Sequence, residues 1–172
     1  MSSCRSIESK KRCIAADSSS LILLQKTGML NSLLVYSSLI IAGAVFAELT
    51  ENEKSGADDF RKLLSDCVVR TIQTLEEGTM GAGERETIEL YEGGWADYVL
   101  VDDKKAAIYC KKNKIPFINS LLLPKLLYFN GILTEIECTV KMSELFHCGY
   151  YSGRIWERAR GFLRKDLNTF LL

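Results

Sequence analysis

Short apolar segments alternate with helical segments along most of this chain, and this alternation constrains the fold more than any other feature. Cys13–Ala16 is the first apolar segment, and a helical pattern over residues 20–27 follows it and ends at Gly28. Residues 97–101 form another apolar segment, followed by a helical pattern over residues 104–114. Strands that alternate with helices form parallel sheets, because each helix carries the chain back across the sheet. The sequence therefore predicts an α/β fold with a central parallel sheet covered by helices on both faces.

The remaining segments continue the same pattern. Further strands are expected at residues 39–41 and 117–118, and further helices at 29–36, 44–49, 57–75, 84–91, 121–129, 135–147 and 152–165. The helix over 57–75 is predicted because Phe60, Leu63, Leu64, Cys67, Val68 and Ile72 recur at helical spacing. Residues 76–83 are rich in glycine and acid, which is typical of a loop.

Composition fits one domain in a reducing compartment. The 172 residues are 47% apolar, which is enough for a sizeable core. The six cysteines form no CxxC pair, so we interpret them as free thiols rather than a disulfide framework. No signal peptide is evident, and the apolar run 39–47 is too short to cross a bilayer. We therefore expect a soluble cytoplasmic protein without a membrane segment.

Carboxylates follow two of the predicted strands. Asp17 comes directly after the first strand, and Asp102 and Asp103 come directly after residues 97–101. The carboxyl ends of parallel strands meet at one edge of the sheet, where ligands bind in open α/β folds. Unpaired carboxylates repel each other unless a cation neutralises them, and oxygen ligands favour Mg²⁺ or Mn²⁺. The simpler alternative is that Asp17 only caps the helix behind it.

Three glutamates on the predicted helices are candidates to join these aspartates. Glu48 lies one helical turn beyond Ala44, and from there its side chain can reach back toward a strand end. Glu84 and Glu86 lie in the first turn of another helix. Each also has an ordinary explanation, because single glutamates are usually surface residues and acids suit the positive end of a helix dipole.

Five motifs, in this order, resemble PIN-domain ribonucleases. The resemblance runs from about Cys13 to about Trp156. The motifs are Asp17-Ser18-Ser19 with Leu21-Ile22 and Gly28, then Ile40-Ile41-Ala42-Gly43 with Glu48-Leu49, then Gly83-Glu84-Arg85-Glu86-Thr87-Ile88, then Ala96-Asp97 with Asp102-Asp103-Lys104, and finally Lys114-Ile115-Pro116 with Gly131-Ile132-Leu133.

The resemblance implies a compact three-layer α/β/α fold and a metal-dependent endoribonuclease that hydrolyses RNA phosphodiester bonds with Mg²⁺ or Mn²⁺. Carried over by motif, the catalytic and metal-binding acids are Asp17, Glu48, Glu84 and Asp103. Two positions stay open, because Glu86 is an alternate for Glu84 and Asp102 is an alternate for Asp103. Asp103 is preferred because the family's acid usually stands just before a basic residue, here Lys104. Ser19 would steady the first carboxylate.

The resemblance also implies partners and a division of the chain. RNA is the substrate, with Lys104 and Lys105 among the residues that hold its backbone. Many family members are toxins of toxin–antitoxin pairs, so an antitoxin protein and a homodimer are expected partners. Residues 1–12 are expected to be a flexible tail, 13–156 the PIN-like domain, and 157–172 a helical C-terminal extension.

Three other classes compete with this hypothesis. The first is a catalytically inactive PIN-like domain that binds RNA or protein, and it keeps the same fold. The second is a receiver-like signalling module, but receivers usually place two acids together after the first strand, whereas Asp17 stands among serines. The third is a phosphatase of the haloacid type, which would need Asp-x-Asp where this chain has Ser19 at the third position.

Overall fold

A computed structural model describes residues 11–51, 56–71 and 80–166 of the chain. The strands are β1 (Cys13–Ala16), β2 (Ser38–Ala42), β3 (Val68–Arg70), β4 (Tyr98–Leu100) and β5 (Phe117–Ile118). The helices are α1 (Ser18–Lys26), α2 (Leu30–Tyr36), α3 (Gly43–Thr50), α4 (Ala57–Leu63), α5 (Ala82–Glu92), α6 (Lys104–Lys112), α7 (Leu123–Phe129), α8 (Glu135–Cys148) and α9 (Gly153–Arg160). A 3₁₀ turn, Ser120–Leu122, leads into α7.

The five strands form one parallel sheet in the order β3-β2-β1-β4-β5. β1 lies at its centre, where Ala15 is level with Ile40 of β2 and with Val99 of β4. Central parallel strands are covered on both faces and therefore consist of small and aliphatic residues, as β1 does here. The predicted α/β fold with a central parallel sheet is confirmed.

The residues of β4 show that apolar layers cover both faces of this sheet. Side chains alternate between the two faces along a strand. Tyr98 and Leu100 belong to the main apolar cluster, whereas Val99 and the following Val101 pack in a second cluster with Ala106 of α6. All five residues are fully buried. The sheet therefore lies between two helical layers, which confirms the predicted three-layer α/β/α arrangement.

The strand order creates a crevice at the carboxyl edge of the sheet. From β1 the chain moves outward to β2 and β3, and it then returns to add β4 and β5 on the other side of β1. The connections therefore diverge between β1 and β4, and such a switch point is where open α/β sheets bind ligands. Asp17 follows β1 directly, and Asp102 lies two residues beyond β4. The fold thus places two carboxylates on either side of this crevice.

The prediction of one helix over residues 57–75 is wrong. α4 ends at Leu63, and β3 (Val68–Arg70) pairs with β2, with Val69 opposite Ile41. Val68 and Val69 are 59% and 41% exposed, as expected on an edge strand and not in a buried helical stripe. Residues 72–79, which include part of the predicted loop 76–83, lie outside the described residues, and α5 begins at Ala82.

Most of the predicted N-terminal tail and the last six residues of the chain lie outside the residues that the structure describes. Residues 1–10 and 167–172 are not among the described residues, and α9 continues past residue 156 to Arg160. The division into tail, domain and extension stays a prediction. Within the described part of the chain, no helix has both the length and the apolar character needed to cross a membrane. The five cysteines in that part (Cys13, Cys67, Cys110, Cys138 and Cys148) are free thiols.

Candidate active site

Asp17 lies at the junction between β1 and α1, where it is held by both elements. Its backbone N–H donates to the carbonyl of Leu100 on β4 at 3.2 Å. Its Oδ1 accepts from the backbone N–H of Ser20 at 2.8 Å, and its Oδ2 accepts from the Ser19 hydroxyl at 3.1 Å. Asp17 is therefore the N-cap of α1, as the simpler alternative predicted, and the Ser19 hydroxyl contacts its carboxylate.

Burial raises the pKa of Asp17 above its ordinary value. The carboxyl group is 1% exposed, and desolvation raises its pKa from 3.8 to about 6. The hydrogen bonds from Ser20 and Ser19 oppose this rise, whereas the nearby charge of Asp102 adds to it. A carboxylate that is buried beside another carboxylate is costly unless a cation accompanies it. The raised pKa of this buried carboxyl group makes Asp17 a candidate functional residue.

Asp102 is held by residues that are distant in the sequence. The backbone N–H of Ser120 donates to its Oδ1 at 3.1 Å, and the Ser120 hydroxyl donates to its Oδ2. The hydroxyl of Tyr151, on the turn between α8 and α9, donates to Oδ1 at 2.5 Å. Burial and the charge of Asp102 raise the pKa of the Tyr151 phenol, so this hydroxyl keeps its proton. Asp102 is thus held as an acceptor at the sheet edge.

Asp103, the preferred candidate from the sequence, has a different environment. Its Oδ1 accepts from the backbone N–H groups of Lys105 at 2.7 Å and Ala106 at 2.9 Å, so Asp103 is the N-cap of α6. Asp102 is the neighbour whose charge acts on Asp17. Between the two alternates, the geometry favours Asp102 as the partner of Asp17 across the crevice.

The three glutamates also differ in what they contact. Glu48 accepts from the Ser18 hydroxyl at 2.6 Å, which links α3 to the residue after Asp17. Glu86 accepts from the backbone N–H of Ala44 at 3.0 Å and so caps the first turn of α3. Glu84 lies in the lining of the groove that also contains Asp102. Glu84 therefore reaches the crevice side of the molecule, and Glu86 ties two helices together.

A groove of about 870 Å³ is lined in part by three of these acids, Glu84, Asp102 and Asp103. Its walls come from α1, α6, and the turn between α8 and α9. The charged lining residues are Glu84, Asp102, Asp103, Lys26, Lys104 and Lys111, and the aliphatic and aromatic ones include Ile22, Ile108, Phe117, Tyr150, Tyr151 and Ile155. Acids, cations and flat apolar surfaces are thus combined in one concavity.

No preformed cage of three or more metal-binding side chains occurs among residues 11–51, 56–71 and 80–166. The candidate acids therefore do not converge on one point. A pair of carboxylates is nevertheless a usual protein contribution to Mg²⁺ binding, because water and substrate phosphate supply the other ligands. Asp17 and Asp102 fit that simpler arrangement.

The fold and the site define a class: a three-layer α/β/α protein with paired carboxylates at the switch point of a parallel sheet. The chain belongs to the PIN-domain family, because a family model described as a PIN domain matches residues 13–154. PIN domains are generally nucleases, so this membership gives the chain a nuclease fold. A comparison with curated proteins finds no match.

Sequence reasoning missed Ser120 and Tyr151, although both contact Asp102 directly. Ser120 follows β5 by two residues, so the rule that polar groups collect at the carboxyl ends of strands pointed to it. Tyr151 lies 49 residues beyond Asp102, on a turn between two helices, and no local pattern marks it.

Proposed function

We propose that this protein is a metal-dependent endoribonuclease that uses Mg²⁺ or Mn²⁺. The observation that carries the proposal is the pair of Asp17 and Asp102, which lie on either side of the switch point. Burial raises the pKa of Asp17, and the nearby charge of Asp102 adds to this rise. Within the described residues, the ion pairs Arg61–Asp58, Lys141–Glu144 and Arg160–Glu157 do not involve either aspartate. A cation from solution would remove this electrostatic cost.

We propose that Asp17 and Asp102 would be the principal ligands, with Glu84 and Glu48 as further acids of the site. A divalent cation at such a site lowers the pKa of water and stabilises the charge that develops on a phosphate during hydrolysis. Asp17 contributes a carboxylate fixed by the amino end of α1, and Asp102 contributes one fixed by Ser120 and Tyr151. Asp103 and Glu86 are proposed to cap helices.

The residues that line the groove are suited to binding an RNA strand. Lysine ammonium groups at Lys26, Lys104 and Lys111 suit the phosphates of an RNA backbone, which they position without reading its sequence. Tyr150 is fully exposed in the same groove, and exposed rings of this kind stack on unpaired bases. These features support a single RNA strand as the occupant.

The toxin role, an antitoxin partner, a homodimer and a cytoplasmic location are parts of this proposal that rest on the resemblance alone. The second candidate function is a PIN-like domain that binds RNA or protein without cleaving. One observation favours it, namely that no three acids in the described part of the chain already surround one point. The two candidates share a fold and differ in whether metal-dependent cleavage occurs.

The direct test is incubation of a mixed RNA pool with purified protein in Mn²⁺, in Mg²⁺ and in EDTA. We expect cleavage with either metal and none with EDTA. The products should carry 5′-phosphate and 3′-hydroxyl ends, because water attacks the phosphorus and the 3′ oxygen is the leaving group. Cleavage that persists in EDTA would contradict metal dependence. Binding of RNA by folded protein without cleavage in any condition would favour the second candidate.

The groove lining predicts that two adjacent lysines have different roles. Lys104 lines the groove, whereas the exposed Lys105 lies outside its lining. Lys104→Ala should weaken RNA binding several-fold and lower the slope of log affinity against log salt by about one, as expected for one lost phosphate contact. Lys105→Ala is the matched control, since alanine is compatible with the first turn of α6 at both positions.

Fluorescence anisotropy at several salt concentrations, with a labelled RNA strand, measures both quantities. Equal losses in the two variants would contradict the assignment of this groove as the RNA site.

A further inference from the structure

Asp102 differs from Asp17 in how its side chain is held. Asp17 is anchored at the start of its own helix by the backbone N–H of Ser20, three residues away, and by the hydroxyl of Ser19, two residues away. Asp102 precedes α6 but does not cap it, because Asp103 occupies that position. Its orientation depends instead on donors from Ser120 and Tyr151, which lie 18 and 49 residues further along the chain.

The donors from Ser120 and Tyr151 together reach both oxygens of the Asp102 carboxylate. The backbone N–H of Ser120 lies 3.1 Å from Oδ1 and 3.3 Å from Oδ2 and donates to both. The Ser120 hydroxyl donates to Oδ2, and the Tyr151 hydroxyl donates to Oδ1 at 2.5 Å. A carboxylate has about four acceptor positions, so these donors fix its plane and still leave capacity for a further partner. If the Tyr151 hydroxyl were removed, the hydrogen bonds from Ser120 would remain to orient the plane of the Asp102 carboxylate.

The turn between α8 and α9 is shaped to hold the Tyr151 ring in place. The ring packs against the bare Cα of Gly149, where an added Cβ would lie 2.9 Å from Cδ2 of Tyr151 and closer still to Cε2. The same Cβ would lie 3.0 Å from the carbonyl oxygen of Leu145. Gly149 has a φ of −96°, so glycine is needed here for space rather than for backbone conformation. The absence of a side chain at residue 149 is therefore what admits the ring.

We propose that Tyr151 is a positioning residue for metal binding, whose hydroxyl orients the Asp102 carboxylate toward Asp17 across the crevice. This inference rests on the proposed metal-dependent function. Hydrogen bonds to metal-ligating carboxylates fix their orientation, and losing one typically weakens metal binding by about 10- to 100-fold. Tyr151 is not proposed to touch the reacting phosphate.

The test is calorimetric titration of the full chain with Mn²⁺. Tyr151→Phe removes the hydroxyl and keeps the ring, and we expect Mn²⁺ affinity to fall by about 10-fold or more. Gly149→Ala should weaken binding in the same direction, because it displaces the ring. Tyr128→Phe, on α7 and outside the groove lining, is the matched control and should bind Mn²⁺ as the wild type does.

A double-mutant cycle separates positioning from general damage. In an Asp102→Asn background, Tyr151→Phe should cause no further loss of Mn²⁺ affinity, since the group it orients is already gone. In cleavage assays, raising the Mn²⁺ concentration should restore the rate of Tyr151→Phe, with a half-maximal Mn²⁺ concentration shifted by the same factor as the affinity.

The outcomes distinguish the two proposals. Wild-type affinity in Tyr151→Phe, or a loss that adds in full to that of Asp102→Asn, would overturn the positioning role and leave the nuclease proposal standing. A wild-type protein that binds no Mn²⁺ would overturn both.

Discussion

Asp17→Asn is expected to lower RNA cleavage by about 1,000-fold or more while leaving the fold intact. Loss of the buried carboxylate removes the proposed metal site. A bound metal stabilises the transition state by several kcal/mol. A loss of about 4 kcal/mol corresponds to a rate about 1,000-fold lower. The fold should survive because the amide oxygen of asparagine can still accept from the backbone N–H of Ser20, which caps α1. Initial rates on a defined RNA in Mn²⁺ measure the effect.

The matched control for this substitution is Asp97→Asn. Asp97 is also an aspartate next to β1 and β4, but it lies at the opposite edge of the sheet, where its Oδ2 accepts from the backbone N–H of Cys13 at 2.7 Å. This variant should cleave RNA at close to the wild-type rate. Comparable activity in Asp17→Asn and Asp97→Asn would contradict the placement of the site at the carboxyl edge.

The same Asp17→Asn variant is expected to be more stable than the wild type at high pH when no metal is present. Burial raises the pKa of Asp17 from 3.8 to about 6, so the folded state binds the proton more tightly than the unfolded state. The contribution of the protonated Asp17 carboxyl to the free energy of unfolding is therefore fully present below about pH 4, and it is lost as the pH rises through about 6. A rise in the pKa from 3.8 to about 6 corresponds to about 3 kcal/mol in the free energy of unfolding.

Urea unfolding in EDTA at pH 4.5 and pH 8 measures this difference. We expect Asp17→Asn to gain up to about 3 kcal/mol over the wild type at pH 8 and much less at pH 4.5, where the wild-type carboxyl is largely protonated. Asp97→Asn should show no such gain. A variant that is equally destabilised at both pH values would indicate that the carboxyl serves only as a helix cap.

These two predictions express a conflict between stability and function at one residue. A buried carboxylate lowers the stability of the metal-free fold, and a bound cation offsets this electrostatic cost. Groups with such a cost are found most often at functional sites. Asp17 also caps α1, so the structural and functional explanations of this residue are compatible. The cap fixes the carboxylate, and burial beside Asp102 gives it an affinity for positive charge.

The central part of the fold could be predicted from the sequence because local patterns and tertiary packing agree there. β1 and β4 are buried apolar segments followed by carboxylates, and their alternation with helices predicts parallel pairing. β3 could not be recognised in this way. Val68 continues a helical spacing that begins at Phe60, and only the pairing of Val68–Arg70 with β2 at the sheet edge selects a strand.

The candidate acids could be predicted as a set, but their separate roles could not all be assigned. Asp102 and Asp103 are adjacent, and the preference for Asp103 rested on its position before Lys104. The position immediately before a helix is also where an N-cap is expected, and Asp103 fills it here. The contact of Tyr151 with Asp102 depends on how α8 and α9 pack near the 3₁₀ turn, which no local pattern encodes.

The measurement that tests this account most directly is the location of Mn²⁺ by anomalous scattering in crystals of the wild-type protein. We expect an ion in the crevice between β1 and β4, with carboxylate oxygens of both Asp17 and Asp102 at the distances typical of metal ligands. An ion bound to Asp103 without Asp102, or no ion near Asp17 at a concentration that supports cleavage, would contradict it.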